Sequence, residues 1–287
     1  MKKLLFVILL HFTLNSFTQN ITDVSLFLKR NNTDQLTTVE SKSGNLFTKV
    51  GHHGPAVENR WYGLRIYFNK TGAIDVYSKA RCGLELREKG WYPNKKEQKN
   101  GWGADYYKVG NTLGLGGICL WNGKNEVLLN PVSMRTARVL QNENSASMEM
   151  LSEGVPYKGK PVDILVRVTV YSDNRKAKVE AFSLTGEPVQ FVTGINYHKE
   201  TEIINRENYI ATWGIHPEDV AAEKVEVGAA VIFNRENFQE QKDDGKQILL
   251  ISKPAINIET MVTTANEREK DINSLEKFIM EIKNTKY

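Results

Sequence analysis

Alternation of apolar and polar residues along most of the chain constrains the fold more than any other feature. Apolar residues recur at every second position between 164 and 171, a polar turn follows at 172–174, and residues 176–182 alternate again. Successive side chains of a β-strand point to opposite faces of a sheet, so these segments predict a β-hairpin. Five more short, β-branched segments are predicted strands: 189–193, 209–213, 225–234, 247–252 and 256–264.

The C-terminus departs from this pattern. From Asn266 the chain is rich in Glu, Lys and Asn, and five apolar residues recur at helical spacing: Ile272, Leu275, Phe278, Ile279 and Ile282. Many short strands followed by one amphipathic helix predict an all-β fold, an antiparallel β-sandwich with one C-terminal α-helix. The glycine-rich run 110–117 lacks the strand–turn–helix context of a nucleotide site, so we expect it to mark close strand packing.

The N-terminus has the layout of a secretory signal peptide. Lys2 and Lys3 precede an apolar run at residues 4–10, and small polar residues follow. We predict a signal peptide at residues 1–18, cleavage near Thr18–Gln19, and export to the periplasm or the medium. Residues 19–287 then form a single β-sandwich catalytic domain. No later stretch reaches the ~20 apolar residues of a membrane helix, so no membrane insertion is expected.

Charge and cysteine content limit the partners. Loss of the signal peptide leaves 36 Lys and Arg against 34 Asp and Glu, a net charge of +2, which gives no basic field for nucleic acid. Cys82 and Cys119 are too few for a structural zinc site, and no acid–histidine spacing indicates another metal or cofactor. The pair is either two free thiols or a disulfide, and its spacing does not decide.

Residues 61–81 concentrate charged and aromatic side chains in a second predicted hairpin. A three-residue loop at 70–72 suits a turn that ends in a left-handed glycine. The resulting register pairs Tyr67 with Asp75, Arg65 with Tyr77, and Gly63 with Lys79. One face then carries only polar and aromatic residues: Arg65, Tyr67, Asp75, Tyr77, Lys79 and Arg81. This face is either a solvated exterior or a surface that recognises an anionic sugar, because arginine binds carboxylate or sulfate bidentately.

Histidines and tryptophans supply the other candidates. His52 and His53 lie in a glycine-flanked loop, where adjacent side chains point opposite ways, so at most one is expected to do chemistry. His198 and His216 are alternatives, with a structural role for each as the competing interpretation. Trp91 and Trp102 flank the polar loop 94–100 and are predicted to stack on sugar rings.

Six segments together resemble one family: His52–Asn59, Arg65–Phe68, Ile74–Lys79, Gly90–Pro93, Gly101–Asp105 and Val109–Gly110. They are similar to secreted bacterial proteins encoded in polysaccharide-utilisation loci, whose characterised member is an oligosaccharide dehydratase of ulvan breakdown. The resemblance implies a sandwich related to sugar mutarotase and lyase folds. It also implies an anionic oligosaccharide substrate that loses water from a non-reducing-end glucuronate or iduronate, for example one linked to rhamnose 3-sulfate.

Elimination of water needs a positively charged side chain beside the substrate carboxylate, a base that removes a proton and an acid that protonates the leaving group. Arg65 and Lys79 are the candidates for the first task, His53 for proton abstraction and Tyr67 for protonation of the leaving group. The roles of His53 and Tyr67 are interchangeable at this point, and His198 is held in reserve. The candidate substrate-binding residues are His52, Asn59, Asp75, Tyr77, Arg81, Trp91 and Trp102. A polysaccharide lyase and a non-catalytic carbohydrate-binding module remain alternatives, whereas a hydrolase would need a carboxylate pair.

Overall fold

The structure is a computed structural model that describes residues 21–30, 34–89, 92–217 and 221–284. The predicted signal peptide, residues 1–18, and the predicted sugar-stacking residue Trp91 lie outside the described residues. Within the four described ranges, no helix combines the length and the apolar character needed to cross a membrane.

The described residues form 18 strands, numbered β1 to β18 along the chain. The first nine are β1 Thr22–Ser25, β2 Thr38–Ser41, β3 Ala56–Asn59, β4 Tyr62–Ile66, β5 Ile74–Ser78, β6 Cys119–Trp121, β7 Glu126–Val127, β8 Met134–Gln141 and β9 Ser145–Tyr157. The other nine are β10 Lys160–Tyr171, β11 Ala177–Ser183, β12 Phe191–Asn196, β13 Thr201–Asn205, β14 Tyr209–Ile215, β15 Glu226–Ile232, β16 Phe238–Asp243, β17 Gln247–Ser252 and β18 Asn257–Asn266.

Helical segments are short apart from the last one. They are α1 Leu86–Lys89, α2 Lys95–Lys99 and α3 Leu275–Asn284, with 3₁₀ turns at Gly51–His53 and Arg235–Asn237. Asn94 caps α2, because its side chain accepts the N–H groups of Lys96 and Glu97. The short helices α1 and α2 have no counterpart in the periodicity of the sequence, whereas α3 is the predicted C-terminal helix.

The described strands are arranged in three sheets. The strand orders are β1-β3-β4-β5, β13-β14-β15-β18-β11-β10-β9-β8-β2 and β16-β17-β12-β6-β7. Neighbouring strands in all three sheets run antiparallel, and the predicted hairpin is the pair β10–β11, with Val168 opposite Val179. The five other predicted strands are confirmed as β12, β14, β15, β17 and β18, with bounds that differ by a few residues at most.

Two of these sheets cover one face of the nine-stranded sheet. A single core joins Leu64 and Val76 of the four-stranded sheet, Val168 of the nine-stranded sheet, and Phe191 and Leu250 of the five-stranded sheet. Because each sheet buries one face of alternating apolar residues in this core, the layers form an antiparallel β-sandwich. The predicted fold class is therefore confirmed.

The C-terminal helix packs on the other face of the nine-stranded sheet. Phe278 and Ile282 of α3 contact a separate cluster that includes Trp213 and Ala230. Ala230 alternates along β15 with Val231, which belongs to the main core, so the helix and the core lie on opposite faces of the sheet. The predicted apolar stripe of α3 is the surface that makes this contact.

Close packing explains part of the glycine-rich run. Gly114 has a φ of 71°, and a Cβ atom there would lie 2.0 Å from the carbonyl oxygen of Ile74. The prediction of close packing is thus confirmed at this position. The cysteines are both free, Cys82 exposed and Cys119 buried, so the disulfide alternative is wrong.

The register predicted for the hairpin β4–β5 is wrong by two residues. Arg65 lies opposite Asp75 and Gly63 lies opposite Tyr77. The ladder ends early because the N–H of Phe68 donates to the carbonyl of His53, away from β5. The Asn69 side chain then accepts the N–H and hydroxyl of Thr71, which closes a longer loop. A shift of two residues preserves the faces, so the polar residues still share one side of the sheet.

Candidate functional site

The polar face of β4 and β5 is buried. Arg65, Asp75, Tyr77 and Lys79 are each at most 1% exposed. Leu86, Tyr92 and Gly103 cover this face, and Ala104 pairs through its backbone with Ser78 at the edge of β5. For these four residues both expectations, a solvated exterior and an open recognition surface, are therefore wrong. Tyr67 and Arg81 are the members of the predicted face that stay accessible.

One group on this face, the Arg65 cluster, consists of Arg65, Tyr67, Asp75, Tyr92 and Asp105. Arg65 Nη2 forms ion pairs with Asp75 and, at 2.9 Å, with Asp105, and its Nη1 donates to the Tyr92 hydroxyl at 2.8 Å. The Tyr67 hydroxyl donates to Asp75 Oδ2 at 2.7 Å. The guanidinium thus fixes the carboxylate, and the carboxylate fixes the phenol.

Burial and charge set the protonation of this cluster. Burial, reinforced by the negative charge of Asp75, raises the pKa of Tyr67. Burial opposes the charge of Arg65, yet Asp75 together with the other surrounding groups, Asp105 among them, outweighs burial and raises the pKa of Arg65. Tyr67 therefore keeps its proton and Arg65 its charge, so the phenol is a potential proton donor held by Asp75 beside the guanidinium.

A second group, the Lys79 cluster, consists of Glu58, Tyr77, Lys79 and Glu85. Lys79 Nζ forms an ion pair with Glu58 and donates to the carbonyls of Asn59 and Gly83, each at 2.7 Å. Tyr77 donates to Glu85 Oε2 at 2.8 Å. Every polar group of this cluster faces protein, so Lys79 is not available to a substrate carboxylate.

A cavity of about 810 Å³ opens beside the Arg65 cluster. Its lining consists of Ser43, Asn45, Phe47, Thr48, Tyr67, Asn69, Lys70, Thr71, Gly110, Asn111 and Asn130. Amides, hydroxyls and one aromatic ring are groups that bind the hydroxyls and faces of a sugar. Lys70 adds an exposed cation, and Tyr67 connects this cavity to the buried Arg65 cluster.

The loop with His52 and His53 is folded by its flanking glycines. Both histidines have left-handed φ values, 53° and 63°. A Cβ atom at Gly51 would lie 2.0 Å from the Phe27 ring, and one at Gly54 would lie 1.8 Å from the carbonyl oxygen of Ile66. This tight turn directs the two imidazoles to different places, as the sequence predicts.

His52 points into the protein. Its Nε2 lies 3.1 Å from Ser25 Oγ, and its ring packs edge-on against Phe27 at 5.3 Å. Burial, with a contribution from the charge of Arg65, lowers the pKa of His52 to about 3. The buried, neutral His52 therefore supports the loop and does not contact the cavity.

His53 packs against two residues that line the cavity. Its ring stacks on Phe47 at 3.9 Å and meets Tyr67 edge-on at 5.9 Å, and both of these residues line the cavity. The carbonyl of Phe47 lies 2.9 Å from Nδ1 and can only accept, so Nδ1 carries the hydrogen. The neutral ring then has its lone pair on Nε2, which suits a base.

A buried arginine, Arg135, holds three loops around the cavity. Its guanidinium donates to the carbonyls of Gly44 (2.7 Å), Asn69 and Leu129, each next to or among the lining residues. Burial lowers the pKa of Arg135 to about 10, so the group stays charged near neutral pH. The three carbonyls thus satisfy a charge that would be costly to bury unpaired.

His198 lies in a different group from His53. Its Nε2 is 2.8 Å from the carbonyl of Lys108, and its ring is 4.5 Å from that of His216. These two histidines line a smaller cavity of about 270 Å³. The described residues contain no cluster of three or more His, Cys, Asp or Glu side chains that could hold a metal ion.

The remaining candidates have structural contacts. The Asn59 side chain accepts the N–H groups of Trp61 and Tyr62 in the turn after β3. Arg81 lies over the Trp102 ring at 4.2 Å, and Lys89 lies 3.8 Å from the same ring. Trp102 therefore binds cations of its own chain where the sequence predicted a sugar.

The sequence analysis did not predict several residues of the site. Asp105 belongs to the segment that carries the family resemblance, and this was the available signal for it. Phe47 and Asn111 line the cavity from distant parts of the chain, Arg135 binds the loops around it, and no motif marks these three residues. The structure therefore brings together His53, Tyr67, Asp75 and Arg65, and it separates Lys79, Arg81, Trp102 and His198 from them.

The fold and the site define an antiparallel β-sandwich with a polar cavity beside a buried ionic cluster. The model of a family described as a domain of unknown function (DUF4861) matches residues 17–286. The chain belongs to this family. Its description assigns no activity, and we found no similar protein among curated sequences.

Two solved structures align with the chain at low identity. A 4-alpha-glucanotransferase from Thermococcus litoralis aligns with a TM-score of 0.36 and 13% identity over 75% of this chain, which spans only 38% of that enzyme. A protein of Klebsiella pneumoniae assigned as an aldose 1-epimerase aligns with a TM-score of 0.33 and 8% identity. The alignment covers 85% of this chain and 91% of the Klebsiella chain.

Proposed function

We propose that this protein is an exported oligosaccharide dehydratase that removes water from a non-reducing-end uronate and leaves a 4,5-unsaturated uronate. One observation carries the proposal: the Tyr67 phenol, held by Asp75, lines an open cavity of amides and hydroxyls beside His53. The cavity supplies groups for a sugar, and the two side chains supply an acid and a base.

His53 is the base in this mechanism. Its Nε2 lone pair takes the proton from carbon-5 of the uronate, and the hydrogen bond from Nδ1 to Phe47 keeps the ring in that tautomer. The C5–H bond breaks, and its electrons form the C4=C5 double bond. Such a positioned base contributes about 100- to 10,000-fold to the rate.

Tyr67 is the acid. Its raised pKa keeps the phenol protonated until the 4-hydroxyl leaves, and the proton then converts that hydroxyl into water. The phenolate that remains is close to Arg65, whose charge opposes the repulsion of Asp75. His53 then passes the carbon-5 proton to Tyr67, either directly or by releasing a proton to solvent while Tyr67 takes one up from solvent, and both groups are restored.

Lys70 takes the task first assigned to Arg65 and Lys79. The substrate carboxylate must be neutralised when charge builds up on carbon-5. Arg65 and Lys79 are buried and paired with carboxylates of the protein, whereas Lys70 is exposed on the cavity beside the amides of Asn69 and Asn111. Arg65 then acts through Asp75 as a positioning residue for Tyr67.

A matched pair of substitutions tests the proposal. Wild-type protein is incubated with uronate-terminated oligosaccharides, and the products are followed by mass and by ultraviolet absorbance. We expect loss of one water without chain shortening, and a 100- to 10,000-fold slower reaction in Tyr67→Phe. Tyr77→Phe is the control, because it removes the equivalent hydroxyl from the enclosed Lys79 cluster.

Other outcomes would identify the alternatives. Shortened products with the same double bond would indicate a polysaccharide lyase, and binding without any new absorbance would indicate a carbohydrate-binding module. Equal rates for Tyr67→Phe and Tyr77→Phe would contradict the assigned role of Tyr67.

A further inference from the structure

The outer face of the nine-stranded sheet is only partly covered by the C-terminal helix. The helix α3 packs on a cluster of β14, β15 and β18 residues that includes Trp213, Ala230 and Ala265. The sheet continues beyond β18 through β11, β10, β9 and β8, which are neighbours in this order. Among the described residues, no hydrophobic cluster includes an outward-facing side chain of these four strands. They form an open face beside the helix.

A row of apolar side chains crosses this open face. Leu151 of β9 lies opposite Leu165 of β10, and Leu165 lies opposite Phe182 of β11. Leu165 alternates with Val166 of the main core, so the row points away from that core. The three side chains are half-buried, and Leu184, just beyond β11, is 54% exposed. Contiguous apolar side chains on an uncovered face indicate a surface that another molecule covers.

A row of charges lies beside the apolar row, two residues along each strand. From β8 to β11 its members lie opposite one another in register: Arg138, Glu149, Arg167 and Glu180. Arg167 forms an ion pair with Glu149 at 2.6 Å, and Glu180 lies 3.0 Å from Lys178. Arg138 is exposed and has no ion-pair partner among the described residues. The charges therefore alternate in sign across the four strands.

This order of signs makes the row complementary to itself. A two-fold axis parallel to the strands, between β9 and β10, places the open face of a second copy on the first and reverses the order of its strands. Arg138 then meets Glu180 of the second copy, and Glu149 meets Arg167 of the second copy. Each of these contacts occurs twice, and each joins opposite charges.

The same axis also matches the apolar rows. Leu151 of one copy meets Leu165 of the other, and stacked sheets at a spacing of about 10 Å allow such side chains to interdigitate. The position of the axis is specific. An axis above β10 would place Glu149 against Glu180 and Arg167 against its own copy, and like charges would then repel.

We propose that the open face binds a second copy of this chain, in a symmetric dimer whose nine-stranded sheets stack face to face. A central apolar row and charges that match in sign under one two-fold axis favour a second copy over an unrelated partner. None of the residues in the two rows lines the large cavity, so this inference is independent of the proposed function.

A charge exchange between two variants tests the proposal. Sedimentation velocity is measured on the wild type, Arg138→Glu, Glu180→Arg and an equimolar mixture of the two variants. An interface of four strands is small, so the concentrations span about 1 to 100 µM. Either variant alone brings like charges together at both symmetric contacts. In the mixture, the new acid at position 138 faces the new base at position 180, and the original Arg138 faces the original Glu180.

Two further variants complete the test. Arg206→Glu is the control, because Arg206 is an exposed arginine in the turn between β13 and β14, outside the open face. Leu165→Gln removes an apolar contact beside the axis without a change of charge. Urea denaturation of each variant shows that it is folded.

We expect dimers of the wild type and of Arg206→Glu, and dimers at least about tenfold weaker for Arg138→Glu, Glu180→Arg and Leu165→Gln. The mixture of the two charge variants should recover the affinity of the wild type. A wild type that stays monomeric over the whole range would overturn the proposal. So would a dimer that Leu165→Gln leaves unchanged, or a mixture of folded variants that associates no better than its components.

Discussion

The Arg65 cluster and the Lys79 cluster lie on the same face of the same sheet and are built alike. Each contains one cation, two carboxylates and a tyrosine that donates to a carboxylate. They differ in access, because Tyr67 lines the large cavity whereas Tyr77 is 1% exposed. Buried charge alone therefore does not distinguish the two clusters; the contact of one member with a cavity does.

The enclosed cluster has a structural task. Lys79 joins the end of β5 to the carbonyls of Asn59 and Gly83, and Glu58 accepts the N–H groups of Glu85 and Leu86 at the start of α1. These bonds fix the segment that covers the polar face. The open cluster uses the same chemistry to orient a phenol.

The largest expected effect comes from breaking the enclosed ion pair. Lys79→Met leaves the Glu58 carboxylate buried without its cation, which should lower the free energy of unfolding by about 3–5 kcal/mol. Urea denaturation measures this loss. Arg81→Gln is the matched control, because Arg81 is exposed and its ion pair with Glu85 is long, at 3.7 Å. Its loss should lower the free energy of unfolding by less than about 1 kcal/mol.

Turnover measured on Lys79→Met shows whether the Lys79 cluster has a role besides stability. Under conditions where Lys79→Met remains folded, we expect its turnover to stay near that of the wild type. A folded Lys79→Met protein without activity would show that the Lys79 cluster also serves catalysis.

A smaller effect concerns pH. His52, beside the Arg65 cluster, has a pKa of about 3 in the folded protein against 6.5 ordinarily, so the unfolded chain binds more protons between these values. The stabilisation that the neutral His52 contributes is therefore fully present above pH 6.5 and decreases as the pH falls from 6.5 towards 3. The contribution of His52 should be about 2 kcal/mol smaller at pH 5 than at pH 7.

The variant His52→Asn isolates this contribution. Asparagine tolerates the left-handed backbone at this position, and it does not titrate. Its free energy of unfolding should fall less than that of the wild type between pH 7 and pH 5. Identical changes in the two proteins would rule out the assigned protonation of His52.

The smallest effect is expected at Trp102. Since Arg81 and Lys89 contact its ring, Trp102→Phe should change the KM for the oligosaccharide by less than twofold and lower stability by about 0.5–1 kcal/mol. Steady-state kinetics and urea denaturation provide both values. A KM raised tenfold would restore Trp102 as a sugar-stacking residue.

Alternation predicted the sandwich, the helix and the polar face, because period two and period 3.6 are local properties of the sequence. It did not predict the register of β4 and β5. That register depends on the hydrogen bond from Phe68 to His53 and on the Asn69 turn, and the first of these joins residues 15 positions apart.

Part of the candidate site was likewise predictable from local sequence patterns. Arg65, Tyr67 and Asp75 share a face by spacing alone, and the glycine-flanked loop indicated His53. Burial of that face could not be foreseen, because the covering segment from Glu85 to Asp105 has no regular period. Phe47 and Arg135 are brought to the cavity by tertiary packing, which leaves no local signal.

The loop between Gly51 and Gly54 has a consequence for how this scaffold can diversify. Its shape is dictated by two positions where a methyl group would collide with Phe27 and with the carbonyl of Ile66, and hence by backbone crowding. Position 53 adds one demand of its own, a left-handed φ of 63°. Asparagine and aspartate tolerate that backbone, so either can replace His53 without a change in the turn.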